Sequence, residues 1–186
     1  AEIHCVEKNA FRTVVEICHE MMVPSGMGEE LQRQREMCID PYTRVANRSK
    51  ELVPMEVKTV LTLEKSGKGL HVATTICNQA KDHRVRVVMP TGLNTSTHLA
   101  DSAFEVVKRN NRHNDTWTNP CGCERQQCFA AMEDETNGLL VANRGLYEYE
   151  VLADEENAIA VTLLRSVAEM GDWGYFPTPK AQHPGV

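Results

Sequence analysis

The chain has 186 residues, with 20 Lys and Arg against 26 Asp and Glu, a net charge of −6. That length suits one domain and can bury a real core, while the acidic balance argues against nucleic acid or a membrane surface as a partner recognised through charge. No apolar run approaches the ~20 residues that span a bilayer. The cysteines at 5, 18, 38, 77, 121, 123 and 128 are odd in number and follow no secretory signal, which fits a reducing cytoplasm better than a disulfide framework. The chain opens on Ala1 and stops at "AQHPGV", so the expectation is a single β domain cut from a longer protein.

The dominant period along the chain is two. Segment 11–23 ("FRTVVEICHEMMV") reads as a strand, and residues 28–39 ("GEELQRQREMCI") as a peripheral helix whose first turn is acidic. In "MEVKTVLTLEK" (55–65) Met55, Val57, Thr59, Leu61 and Leu63 share one face, as a half-buried strand requires. The turn "KSGKG" leads into a second strand at 70–78, and "QAKDH" turns the chain into a third at 84–90, predicting a three-stranded meander. Further strands are predicted at 102–108, 125–132, 138–143, 147–152 and 158–167, with a long surface loop over 109–124. Nine short strands predict an antiparallel β-sandwich of two facing sheets, with one or two short helices at the periphery. The division expected is a leading strand plus helical insertion over 1–47 and the core sandwich over 48–186.

No self-sufficient active-site motif is present: there is no GxSxG, GxxxxGK or HExxH pattern. "NPCGCERQQC" gathers Cys121, Cys123 and Cys128, but C-x-C is tighter than the paired C-x₂₋₄-C turns of zinc sites and no second pair follows. These are read as reduced loop cysteines that hold no metal and form no obligatory disulfide. Three places remain as candidate substrate-proximal positions. "THLADSAFEVVKR" puts His98 and Asp101 at the mouth of a strand, with Asp101 and Glu105 expected on that one strand, roughly 13 Å apart. "VANRGLYEYEV" sets Arg144 and Tyr147 around a Gly turn, beside Tyr149, which is read as a core or cross-strand residue as readily as a sugar contact. "GDWGYFPTP" exposes Trp173 in a loop bounded by Gly and Pro, a binding surface or a cap on the sandwich. Arg165 ends the apolar row Ile159, Val161, Leu163, so a partner is expected for it, with Asp101 and Glu105 as candidates.

At "KDHRVRVVMPTGL", "THLADSAFEVVKR", "GLLVANRGLYEYEV" and "VTLLRSVAEMGDWGYFPTP" the chain resembles the C-terminal β domain of glycoside hydrolase family 38, the α-mannosidases, particularly the bacterial cytoplasmic type. The resemblance implies a β-sandwich of the supersandwich kind and, for the whole enzyme, zinc-dependent retaining hydrolysis of α-mannosidic bonds. In that family the nucleophile and the zinc ligands, two His and two Asp, lie in the N-terminal catalytic domain. No catalytic or metal-binding residue is therefore assigned to this chain. The expected partners are α-mannosides or mannosyl conjugates and the N-terminal catalytic domain of the same protein; the alternative is a non-catalytic carbohydrate-binding or homodimerising β module.

Overall fold

In a computed structural model the chain is described over residues 1–40, 43–45, 47–114, 116, 121–153, 156–167, 169–170 and 176–177. The mainly β expectation holds: among the described residues there are fourteen strands and one α-helix. They fall into two compact units, one of residues 1–83 with 166–186 and one of residues 84–165.

The first unit is built on one antiparallel sheet, β1 (Glu2–Lys8), β2 (Arg12–Pro24), β3 (Leu52–Glu64) and β4 (Leu70–Cys77), hydrogen-bonded in that order. β2 and β3 are each 13 residues long and pair without a slip from Arg12↔Glu64 to Pro24↔Leu52. Period-two alternation sets that register, because a one-residue shift would carry every apolar side chain to the opposite face. β1 carries a bulge between Cys5 and Glu7. Between β2 and β3 lies α1 (Glu29–Glu36), shorter than the predicted 28–39, with Glu29 and Glu30 in its first turn and no buried residue. It is peripheral, as its thin apolar stripe implied. Gly28 precedes it where a Cβ would sit 2.6 Å from the Asn47 carbonyl oxygen, so only glycine fits. A two-stranded ribbon, β13 (Glu169–Met170) with β14 (Phe176–Pro177), completes the unit.

The second unit is the sandwich. One sheet runs β10 (Gly138–Ala142), β9 (Phe129–Glu133), β6 (Thr97–Asp101), β7 (Val106–Asn110); the other runs β5 (His83–Met89), β12 (Ala158–Ser166), β11 (Glu148–Leu152), β8 (Cys123–Arg125). Both supply the core: Ala100, Ala130 and Met132 from the first, Tyr149, Ile159 and Val161 from the second, with Leu93. The inner face carries several alanines, which leave room for one large polar ring, Tyr149, at 0% exposure.

Four expectations are corrected. The predicted two facing sheets describe residues 84–165, and the first unit adds a third four-stranded sheet. β5 is not the third strand of a meander: β3 and β4 pair as predicted, but β5 joins the sheet of β12. The predicted strand 102–108 holds only from Val106, where β7 begins; its first half, 102–105, is a tight turn between β6 and β7, closed by Ser102 N–H donating to the Glu105 carbonyl at 2.9 Å. Asp101 and Glu105 therefore flank a turn rather than share a strand. The predicted strand 125–132 is broken at Gln126, whose backbone N–H donates to Tyr147 O at 2.9 Å and whose side-chain amide donates to Leu146 O at 3.0 Å.

Candidate functional site

His98 stands on β6 and is only 4% exposed. Its Nδ1 lies 2.9 Å from Asn111 Oδ1 and its Nε2 lies 2.8 Å from the Tyr149 hydroxyl. Asn111 donates through Nδ2 to the Thr95 carbonyl at 2.9 Å, so its Oδ1 is an acceptor and His98 carries its proton on Nδ1. Tyr149 then donates to Nε2, while its oxygen accepts from Arg109 at 2.8 Å. One neutral tautomer satisfies the whole chain of bonds. Burial holds His98 below the usual imidazole range; the Asn111 hydrogen bond opposes this and the Arg109 charge adds to it. Burial also pushes the Tyr149 phenol up, against Arg109. With both ring nitrogens committed, His98 offers no lone pair to a proton in transit or to a metal.

The outer face of the second sheet carries a charge network. Glu148 and Glu150 of β11 face Arg84 and Arg86 of β5: Arg84 reaches both carboxylates at 3.2 Å and Arg86 pairs with Glu150. Arg165 pairs with Glu148 at 2.8 Å, so it has a carboxylate partner as its sequence position required, but that partner is Glu148 rather than Asp101 or Glu105. Burial pushes the Glu148 carboxyl up, yet hydrogen bonds from Arg165 and Thr162 outweigh it and hold it below the usual carboxylate range. Cys123, on β8 opposite Glu150, accepts from Arg84 through its sulfur at 2.8 Å; burial, opposed by Arg84, raises its thiol pKa. Gly122 lies against Glu150, whose carboxylate oxygen would be 2.7 Å from a Cβ there. All seven cysteines are free. Cys128 is on the bend after Gln126.

That bend organises the third place. The Asp101 carboxylate accepts the Cys128 N–H at 3.1 Å and the Asp101 carbonyl accepts the Gln127 N–H at 3.0 Å. The Cys128 carbonyl accepts the Asn143 N–H at 2.8 Å. Asn143 Oδ1 in turn caps Leu146 N–H at 3.1 Å across a turn whose Gly145 has φ of 81°. Three loops, 102–105, 126–128 and 143–147, are thus laced side by side at one end of the sandwich. They hold out Phe104, fully exposed, Tyr147 at 63% exposure, and Arg144. Rings and a guanidinium on loops braced by a rigid sheet can stack on and hydrogen-bond to a polyhydroxylated ligand. Asp101 braces that rim, and Arg144 and Tyr147 belong to it. His98 lies in the core, and Trp173 is outside the described residues.

Phe104 was missed because the segment was read as strand rather than as the turn that holds it out. The Tyr149, Arg109 and Asn111 partners of His98 were missed because they are 11 to 51 residues away in sequence and no local period connects them. Among the described residues no group of three or more His, Cys, Asp and Glu is placed to hold a metal ion. None of their helices is long and apolar enough to cross a membrane.

A protein of Halalkalibacterium halodurans named "Putative mannosylglycerate hydrolase" is 42% identical over 182 residues, 98% of this chain and 20% of its own length. An α-mannosidase from Enterococcus faecalis V583 superposes with a TM-score of 0.90 at 44% identity, over 99% of this chain and 21% of the other. A glycosyl hydrolase family 38 protein from Enterococcus faecalis superposes at 0.87 with 43% identity and the same coverage. The chain thus spans about a fifth of the length of these relatives. Residues 7–173 match the family described as "Glycosyl hydrolases family 38 C-terminal domain", and the chain belongs to that family.

Proposed function

We propose that this chain is the C-terminal β domain of a cytoplasmic glycoside hydrolase that cleaves α-mannosidic bonds, mannosylglycerate among its substrates, by a zinc-dependent retaining mechanism. The observation that carries the reading is the 42% identity across 98% of the chain with a protein named for mannosylglycerate hydrolysis. A retaining glycosidase needs a nucleophilic carboxylate about 5 Å from an acid/base group. The carboxylates described above are engaged otherwise: Asp101 braces a bend, and Glu148 and Glu150 are held by three arginines. Among the described residues no His, Cys, Asp and Glu are grouped to fit a zinc site either, and His98 has both nitrogens bonded while Cys123 takes an arginine. No step is therefore routed through them.

In this reading the groups that break the bond, and the zinc, belong to the catalytic domain, and the β domain does two things. It supports that domain, and it presents the rim of Phe104, Arg144 and Tyr147 toward the sugar, where binding distributed over remote contacts lowers the barrier at the reacting centre. The test is to express the complete reading frame that encodes this chain and assay it on mannosylglycerate and an aryl α-mannoside with zinc present. Hydrolysis by the whole protein, with no turnover by the 186-residue chain, is expected. Arg144→Ala and Tyr147→Ala in the whole protein should raise KM. Failure of the whole protein to cleave either substrate would reject the reading.

A further inference from the structure

We propose that the apolar face of the β1–β4 sheet is the docking surface for the remainder of the full-length polypeptide, a step that rests on the domain reading above. The two faces of this sheet differ sharply. Reading the ladders across, one face carries the rows Ile3, Ile17, Thr59, Thr74, then Cys5, Val15, Leu61, Val72, then Lys8, Thr13, Leu63, Leu70, so that its one charge in these rows, Lys8, stands at the β1 edge. The other carries Glu16, Lys58, Glu7 and Arg12, ion-paired at 2.6 Å for Glu16 with Lys58 and 2.7 Å for Glu7 with Arg12, with Val14, Val60 and Ala73 between them. An antiparallel sheet with one ion-paired face and one aliphatic face is patterned to solvate the first and bury the second. Yet Ile3 is 68%, Leu63 53%, Leu70 54% and Val72 55% exposed. α1 lays no residue over them, having none buried.

Contiguous aliphatic area of this kind marks a surface that another body covers. The chain's proportions decide which body. It aligns over 98% and 99% of its length with relatives of which it makes up only 20% and 21%. About four-fifths of such a protein is chain of the same polypeptide, tethered at high effective concentration beside this sheet. The face fits that tethered partner, and its single charge in these rows, Lys8 at the β1 edge, makes no pattern that would select a separate one.

Cys5 supplies a native probe, because it lies in the middle row of the apolar face and is exposed here, as Cys38 is beyond α1. The experiment is thiol labelling of the full-length protein, with mass-spectrometric readout per cysteine, each rate normalised to that in the unfolded chain. Cys5 is expected to react at least about tenfold more slowly than Cys38, at every protein concentration. Leu70→Asp, on the apolar face, should restore Cys5 reactivity, whereas His71→Asp, one residue along on the other face, should leave it protected. Equal rates for Cys5 and Cys38 in the wild type would overturn the proposal. So would protection that appears only at concentrations where a dimer forms, which would assign the face to a second copy. Mannoside hydrolysis measured on the same preparation separates the two ideas: protection without hydrolysis rejects the enzymatic reading alone, and hydrolysis with a reactive Cys5 rejects the docking alone.

Discussion

The β1–β4 sheet and the sandwich of residues 84–165 are made from similar strands and solve burial in opposite ways. The sandwich closes its inner face with Met132, Tyr149, Ile159 and Val161, and its β11–β12 outer face carries a lattice of arginines and glutamates. In the other sheet only Met55 among the strand residues is buried. Alternation alone therefore does not locate a core. It shows which face wants covering, and the cover must be found elsewhere.

The sharpest way to break the sandwich is at its polar keystone. Tyr149→Ala should cost about 3–5 kcal/mol, from the cavity and from the partners stranded around it. His98 Nε2 and Arg109 would both lose the hydroxyl that joins them. Denaturant unfolding should show a large fall in midpoint, and Tyr149→Phe, which keeps the ring but strands the same partners, should recover only part of it.

The outer lattice should be next. Glu148→Gln keeps the shape but takes the charge from beneath Arg84 and Arg165, and at its partial exposure a loss of about 1–2 kcal/mol is expected. Because the folded Glu148 pKa is depressed, its stabilisation is present above the unfolded carboxylate pKa and is lost as pH falls through the folded value. The variant's stability should therefore depend less on pH at the acid end, which unfolding curves at pH 3 to 6 would read, about the span in which carboxylates titrate.

His98 works in a different window. In the unfolded chain it takes up a proton as pH falls through about 6.5, whereas folded His98 stays neutral to lower pH. The unfolded state then binds more protons, so stability should fall on acidification, by at most ~1.4 kcal/mol per pH unit. Burial also depresses His83, so the wild-type slope carries both rings. His98→Asn should flatten it by one ring's share between about pH 6.5 and 5; an unchanged slope would contradict the neutral tautomer.

What the sequence made legible follows from how local each signal is. The long ladders of β2, β3 and β4 were readable because Val15, Ile17, Leu61 and Leu63 alternate with charges. β6 was not, because its buried positions hold His98 and Ala100, a polar ring and a methyl, which no hydrophobic period registers. The turn at 102–105 hid behind "AFEVV", whose β propensity is real but was overruled by the pairing of Asp101 with Val106. Arg165 could be read as needing a partner from its own row, but Glu148 as that partner depends on β11 and β12 lying side by side. Likewise the family was legible from contiguous segments, while the loop rim around Asp101 depends on bonds between three turns far apart in sequence.

The smallest expected effect tests the comparison most directly, by making one substitution in both places. Val→Thr keeps the β-branched shape and adds a hydroxyl, so it asks only whether the position is dry. At Val161, 2% exposed in the sandwich core, the hydroxyl would need a partner and should cost about 1–3 kcal/mol. At Val72, 55% exposed on the apolar face of the other sheet, the hydroxyl meets water and the change should lie within about 0.5 kcal/mol in the 186-residue chain. The same Val72→Thr made in the full-length protein should cost more than it does in the chain alone, because the covered face would then be dry. Denaturation midpoints of the two pairs of proteins provide the measurement. Equal, small costs for Val72→Thr in both contexts would mean that the face stays wet in the whole protein, and the contrast between the two sheets would have to be explained by something other than a missing cover.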